Sequence, residues 1–452
     1  MEDNEYRSKV LQFYDWETAM FESIKSFVSN YSYQLKTSLK WIVFAVLSGI
    51  LIGFVGIAFY YGMDLVTGWR AQFPWLIFFL PGGGLAIVGL YHLLHNEKDT
   101  GTNLVLSAIH SNENIPLRMA PLIFVSTLIT HLFGGSAGRE GAALQLGGSI
   151  GNALGRLFRF DEKDKHTMIM CGMSAAFSAL FGTPLAAAFF SMEVVSVGIM
   201  HYSALVPCVI AALVAHGIAV SCGAVPESFA ISDIPAFAPQ TAVLIGILAV
   251  LCALVSILFC VILHTAERFY HHFFKNTYLR AAVGGVIVIA LTMIAGSQDY
   301  NGTFLSLISS QNYNGTGFSI ISLCFTTGEV FPLAFLLKMI FTAATLAAGY
   351  KGGEIVPTFC VGAAFGCLFG SLIGLSPTLC AAVGMGAVFC GVTNSPVTSL
   401  LICFELFGFE GMPYYLIAIA LSYMMSGYYG LYSSQKIIYS KYKTEYINRK
   451  TN

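Results

Sequence analysis

The sequence predicts an all-α polytopic membrane protein, and three observations carry that class. Hydrophobic residues make up 56% of the 452 positions and charged residues only 10%, against roughly 25% charged in soluble domains. Apolar runs recur from about Trp41 onward, among them "WIVFAVLSGILIGFVGIAFYYG" and "TAVLIGILAVLCALVSILFCVIL", and roughly 20 apolar residues suffice for a helix to cross a bilayer. Strand-like alternation is absent, which leaves helices as the elements able to satisfy their backbone in lipid.

Residues 1–38 mix charges with aromatics and read as a cytosolic or interfacial helix preceding the first span. The start is acidic and lacks a cationic region followed by an apolar core, so no cleaved leader is expected. Leu144–Phe158, Ile355–Ile373 and Ala381–Val392 are short or glycine-broken and read as segments that do not span. Such interrupted helices are tolerated at membrane depth where they are buried in protein or line a site. "AVPESFAISDIPAFAPQ", near the middle, is the most loop-like stretch and marks the boundary between a first unit, 39–225, and a second, 240–434. The end, 435–452, has five basic residues against one acidic, so it is expected in the cytoplasm, as is the N-terminus. A net charge of −1 offers no argument for nucleic acid. Eleven cysteines stand singly, mostly in apolar runs, and read as small buried hydrophobes. No metal cluster, cofactor-binding loop or nucleophile with a matching base is visible.

The two units repeat one another. "GMSAAFSALFGTPLAAAFFSMEV" from Gly172 and "GMGAVFCGVTNSPVTSLLICFEL" from Gly384 align without gaps and share Gly, Met, Ala, Phe, Pro and Glu. Upstream of each stands a glycine-flanked carboxylate, Glu140 in "SAGREGAALQLGG" and Glu354 in "YKGGEIVP". The two carboxylates read as equivalents, one in each half. Related halves with broken helices at matching positions are the pattern of a transporter whose site lies at the repeat interface.

Glu140 follows Gly134, Gly135 and Gly138 and opens a helix-like segment, and helix N-termini bind anions through free N–H groups and partial positive charge. Two readings stand side by side. Glu140 either occupies an anion site itself and vacates it on protonation, or forms a structural pair with Arg139 that caps a re-entrant helix. Ionisable residues inside a membrane are functional by default, and the partner at Glu354 favours the first reading. Glu354, with Gly352 and Gly353 before it, reads as a proton acceptor or relay, against a buried carboxyl bonded to a hydroxyl or backbone. Glu193 and Glu405, nine residues after Pro184 and Pro396, read as helix-end groups. His131 reads as a bonded core histidine.

These motifs resemble the CLC superfamily of chloride channels and proton-coupled anion antiporters, over about Leu39–Tyr439. "GREGA" is similar to that family's G-R-E-G-P, "GGEIVP" to its G-G-I-F-A-P, and "GLYSS" to the segment bearing an anion-contacting tyrosine. The resemblance implies two inverted-topology repeats with broken, re-entrant helices, and a homodimer with a pore in each subunit. It places Glu140 on the gating glutamate. Gly138, Arg139 and Gly141 fall on the outer anion site, Gly353, Glu354, Ile355 and Val356 on the central one, and Tyr432 on the inner tyrosine. Thr102 and Asn103 replace a serine motif, and Val194 replaces an internal proton-transfer glutamate. With the acid of "GGEIVP", these departures resemble the bacterial fluoride/proton antiporter branch. That branch differs from this chain at Thr102, often methionine or asparagine there, and at Val356, often threonine.

The resulting expectation is a plasma-membrane exchanger that exports fluoride against inward proton movement, with no cofactor and no catalysed reaction. The alternatives within the family are a chloride/proton antiporter and a passive halide channel. Outside it stand an intramembrane enzyme using Glu140 and Glu354 as an acid/base pair, and a non-transporting scaffold. The chain has only about twenty residues after Tyr432, which fits a compact bacterial member.

Overall fold

The computed structural model describes residues 2–111, 113–296 and 313–451, and within them lie two sets of eight α-helices. The first set is α1 (Glu2–Gln72), α2 (Leu80–Leu93), α3 (Thr102–Ser111), α4 (Met119–Leu132), α5 (Glu140–Leu157), α6 (Glu162–Phe181), α7 (Pro184–Glu193) and α8 (Leu205–Ser221). The second is α9 (Pro239–Phe273), α10 (Thr277–Gly296), α11 (Phe318–Thr326), α12 (Ala334–Leu346), α13 (Ile355–Ile373), α14 (Pro377–Thr393), α15 (Pro396–Phe407) and α16 (Met412–Met425). Among the described residues, six helical segments are long and apolar enough to cross a membrane. Others, such as the 10-residue α7 and the 12-residue α15, are too short, which is the broken-helix architecture expected.

Three details differ from the sequence reading. The N-terminal segment is no separate helix, since α1 continues unbroken from Glu2 into the first span. Ile355–Ile373 is one helix of 19 residues and is itself among the six segments long enough to span. The basic end is not a loose tail: β1 (Ser196–Val197) pairs in parallel with β2 (Lys436–Tyr439), which pairs antiparallel with β3 (Tyr446–Lys450). β2 (KIIY) and β3 (YINRK) mix isoleucine and tyrosine with basic residues, and β-branched and aromatic residues favour strands.

Local chemistry fixes the helix ends. Prolines open α7, α9, α14 and α15 at the position where the missing N–H is harmless. Gly182, at φ 80°, ends α6 in the left-handed conformation that glycine tolerates without strain. The repeat shows most clearly where helices touch. α5 meets α6 with Gly147 against Gly172, and α13 meets α14 with Gly362 against Gly384; a methyl group at any of the four would overlap the carbonyl of its partner. Small residues let backbones approach closely, the usual basis of helix packing in lipid.

The repeats are stitched together by reciprocal bonds. The Glu193 carboxylate, at the end of α7, accepts from the N–H groups of Val397 (3.0 Å) and Thr398 (2.8 Å) and from the Thr398 hydroxyl (2.6 Å). Glu405 returns the contact, accepting from Leu185 N–H and Ala186 N–H at 2.9 Å each. Each glutamate thus caps the first turn of the other repeat's helix, where four N–H groups lack intrahelical partners, and negative charge at that end is favoured. Both serve the helix-end role read from the sequence. Next to the two glycine loops, Ser136 N–H donates to Thr345 Oγ1 (3.0 Å) and Lys351 N–H to Thr130 Oγ1 (3.3 Å), a pair of bonds related by the same internal symmetry.

Candidate functional site

The site forms where the two glycine loops cross. Gly138 N–H donates to Gly353 O at 2.6 Å and Gly353 N–H to Gly138 O at 2.7 Å, a two-bond bridge that brings the starts of α5 and α13 against each other. The approach excludes side chains: a Cβ on Gly141 would stand 2.8 Å from Gly353 Cα. Gly138, Gly141 and Gly353 are therefore glycine for steric reasons, and the first turns they expose carry N–H groups without intrahelical acceptors. Ile355 and Val356, in the first turn of α13, are fully buried.

Glu140 is fully buried and is the first residue of α5. Its carboxylate folds back over the helix start, accepting from Arg139 N–H at 3.1 Å and from Arg139 Nε at 3.3 Å. The side chain therefore takes up a backbone N–H at the start of α5. The Arg139 side chain thus pairs with Glu140, the contact in the second of the two readings from the sequence, and it has further partners. Its Nη2 donates to Glu227 Oε1 at 2.9 Å, and its guanidinium lies 5.4 Å from the Tyr60 ring centre and 5.7 Å from that of Phe318.

Glu354 stands at a different helix position. It is the N-cap residue of α13, whereas Glu140 is the first residue within α5. The first residues of the two helices, Glu140 and Ile355, are separated along the chain by the same interval as Thr130 and Thr345, Gly138 and Gly353, and Gly147 and Gly362. Glu140 and Glu354 are closer by a single position. The two carboxylates are thus out of register, correcting their reading as equivalents: Arg139 corresponds to Glu354, and Glu140 to Ile355. A single step turns a helical side chain by about 100°, so the two carboxyls leave the junction in different directions.

Glu354 lines a cavity of about 490 Å³ shared with Thr102, Asn103, Gln145 and Tyr432, whose lining does not include Glu140. Among the described residues, Glu354 Oε2, the Tyr432 hydroxyl and Gln145 Oε1 are buried without hydrogen-bond partners. Native interiors rarely leave such atoms unsatisfied, and three around one cavity mark a place for water or a small polar ligand. Thr102 Oγ1 accepts from Gln145 Nε2 at 3.2 Å and reaches Gly141 O at 3.5 Å. Asn103 Oδ1 accepts from Ser434 N–H at 3.0 Å, so its amide braces the segment that carries Tyr432. Tyr432 is further held by Leu431 N–H bonded to Val392 O (2.9 Å) and by the Thr451 hydroxyl on its own carbonyl (2.8 Å).

A family profile described as "Voltage gated chloride channel" matches residues 83–427. The chain belongs to the voltage gated chloride channel family. Among curated members of this family, a "Chloride/fluoride channel protein" of Pseudomonas syringae pv. tomato is 35% identical over 404 residues, covering 89% of this chain and 88% of the relative. An "H(+)/Cl(-) exchange transporter ClcA" of Vibrio cholerae is 26% identical, covering 84% of this chain and 85% of the relative. Among solved members, a CLC-type fluoride/proton antiporter superposes with a TM-score of 0.81 at 32% identity, over 88% of this chain and 98% of that one. A slow cyanobacterial Cl−/H+ antiporter superposes at 0.72 with 19% identity, over 85% and 94%, a likeness of fold. The CLC fold, with its two inverted repeats, is therefore the architecture of this membrane protein.

Sequence reasoning missed Gln145 and Glu227. Gln145 carried a signal, as a lone amide in the apolar stretch "GAALQLGG". Glu227 carried none, because a loop acid has no periodicity to betray its partner. His131 is a bonded core residue, as expected, with Nδ1 2.8 Å from Thr127 O and Nε2 3.0 Å from Ala137 O.

Proposed function

We propose that the chain is a proton-coupled fluoride exporter, in which Glu140 alternates between covering the outer anion site and carrying a proton. The observation that carries the reading is the folded-back Glu140 carboxylate, 3.1 Å from the N–H at the start of α5. Ionised, it competes with an anion for the same donors; protonated, it loses that attraction and frees them. Gly138, Arg139, Gly141, Gly353, Ile355 and Val356 supply backbone at the junction. Thr102, Asn103 and Tyr432 shape the inner cavity, and Glu354 takes or passes the proton there.

Fluoride is favoured over chloride by the carboxyl at Glu354 and by the likeness to a fluoride/proton antiporter at 32% identity. A small, strongly hydrated anion needs dense, strong donors, and the Tyr432 hydroxyl and a protonated Glu354 carboxyl, whose Oε2 has no partner, are of that kind. Chloride/proton exchange is the second reading, favoured by the 26% identical Vibrio cholerae relative of that name. On either reading the repeats are assigned to 39–225 and 240–434, with 1–38 and 435–452 in the cytoplasm, in a plasma-membrane homodimer of bacterial origin.

Purified protein in proteoliposomes tests this, with fluoride efflux and internal pH followed together. Fluoride efflux down its gradient is expected to pump protons uphill, and chloride to substitute poorly. Fluoride movement without proton movement refutes exchange, and equal chloride flux refutes the selectivity.

A further inference from the structure

Glu227 stands outside every sequence motif, yet it is the second partner of the arginine that touches Glu140. It lies in the loop between α8 and α9, and that loop is fastened at several points. Phe229 N–H donates to Leu406 O at 2.9 Å, Ser232 N–H to Thr378 Oγ1 at 3.2 Å, and Tyr414 OH to Pro235 O at 2.9 Å. The Phe229 ring stacks on Phe325 with centroids 5.0 Å apart. The Glu227 carboxylate is thus held on a fixed strap, 27% exposed, against an Arg139 side chain only 11% exposed.

The strap and the segment that carries Tyr432 are fastened to opposite ends of α14. Ser232 bonds Thr378 near the start of α14, while Gln435 Nε2, close to Tyr432, bonds Thr393 O at its end, 2.8 Å away. Fifteen residues of helix separate those anchors, about 22 Å at a rise of ~1.5 Å each.

We propose that Glu227 is a positioning residue for Glu140: it shares the Arg139 guanidinium, and thereby sets how acidic the solution on that face has to be before Glu140 leaves the helix start. The inference rests on the reading of Glu140 as the gate. The cation is divided between two carboxylates, at 2.9 Å from Glu227 and 3.3 Å from Glu140. Each carboxylate weakens the hold of the other, and the negative charge of Glu227 also favours a proton on Glu140. Replacing Glu227 by glutamine keeps an acceptor oxygen for Arg139 and removes the charge, so the whole guanidinium charge then acts on Glu140.

The other titratable and charged groups that face the junction are His131, Lys338, Glu354, Arg70 and Tyr60. His131 faces the carbonyls of Thr127 and Ala137. Lys338 donates to Ser136 Oγ and to the carbonyls of Tyr313 and Gly315. Glu354 lies across Gly141, Arg70 lies beside Gly134, and the Tyr60 ring flanks Arg139.

The test is initial fluoride efflux from proteoliposomes, read with a fluoride electrode over a range of pH on the Glu227 face, for wild type, Glu227→Gln, Glu227→Asp and Glu140→Gln. Wild type is expected to speed up as that solution is acidified, and Glu140→Gln to lack this acid limb. Glu227→Gln is expected to reach the wild-type plateau within about twofold, with its limb moved to lower pH by at least about half a unit. Glu227→Asp, which keeps the charge, is expected to stay near the wild-type position. A Glu227→Gln limb at the wild-type pH or above it, or a rate depressed equally at every pH, overturns the inference while leaving the gate reading intact. An acid limb that survives Glu140→Gln overturns the gate reading, and this inference with it.

Discussion

Replacing Glu193 by alanine removes the cap that the first repeat places on the second, and the cost can be worked from the contacts. Three donors lose their acceptor: Val397 N–H, Thr398 N–H and the Thr398 hydroxyl. Two of the three sit on Thr398, which is fully buried, so no solvent replaces their acceptor. A buried polar group left unsatisfied costs roughly 1–3 kcal/mol, which puts Glu193→Ala at about 3 kcal/mol. Glu193→Gln keeps one acceptor oxygen and loses the charge at the helix start, for about 1–2 kcal/mol. Glu405→Ala frees only two N–H groups against three donors for Glu193, and is expected to cost less than Glu193→Ala. Thermal unfolding in detergent ranks the three variants, and fluoride and proton fluxes in vesicles show whether coupling survives. The expected order of stability is wild type, Glu193→Gln, then Glu193→Ala, with coupling retained wherever the protein folds. A Glu193→Gln variant of wild-type stability that has lost proton coupling refutes the cap and makes Glu193 a proton carrier instead.

Gly147→Val is expected to leave little folded protein by size-exclusion chromatography, because its side chain overlaps the Gly172 carbonyl where α5 meets α6; the same outcome is expected at Gly362, the matching position on α13. Glu354→Gln is expected to fold as well as wild type, since its Oε2 has no partner to lose, and to lower coupled fluoride flux at least about tenfold in the vesicle assay. Lys338→Met removes three hydrogen bonds, but Ser136 Oγ keeps Thr342 Oγ1 and Gly315 O keeps the Ala137 N–H, so it is expected to destabilise by only about 1–2 kcal/mol in thermal unfolding.

The helix class, the repeat and the junction were legible because each leaves a local trace. Apolar length marks spans, and the shared Gly172/Gly384 and Pro184/Pro396 mark the repeat. Glu193 and Glu405 could be read as helix-end groups from their equal spacing after proline, although the cross-repeat direction of their caps could not. Two offsets coexist in the chain, a longer one at the helix starts and a shorter one from Gly172 and Gly384 onward, because α6 has 20 residues and α14 has 17. Matching glutamate to glutamate falls between these offsets, which is why the single-position shift between Glu140 and Glu354 stayed hidden. Glu227 was hidden for another reason: its partnership with Arg139 spans 88 residues and depends on how a loop folds over the junction. The strands at the C-terminus were missed because four- and five-residue stretches with basic residues read equally well as tail.

That shift of register bears on how exchange could be directional. Were the repeats perfectly matched, both carboxyls would cover their own helix starts, and the junction would present the same chemistry to either side. Instead Glu140 folds onto the N–H at the start of α5, held by Arg139, while Glu354 leaves its helix one position earlier and enters the cavity beside Tyr432. In the mechanism proposed above, only the first carboxyl competes with an anion for backbone donors, and only the second has an oxygen left free for water, a proton or a small anion. Moving the acid of the second repeat back into register separates this account from one in which any central carboxyl suffices. The double variant Glu354→Gln with Ile355→Glu restores a carboxyl at the position matching Glu140. If the N-cap position of Glu354 is what matters, that variant transports no better than Glu354→Gln alone in the fluoride and proton vesicle assay. Recovery of coupled flux would show instead that the junction needs a second carboxyl but not its displacement from symmetry.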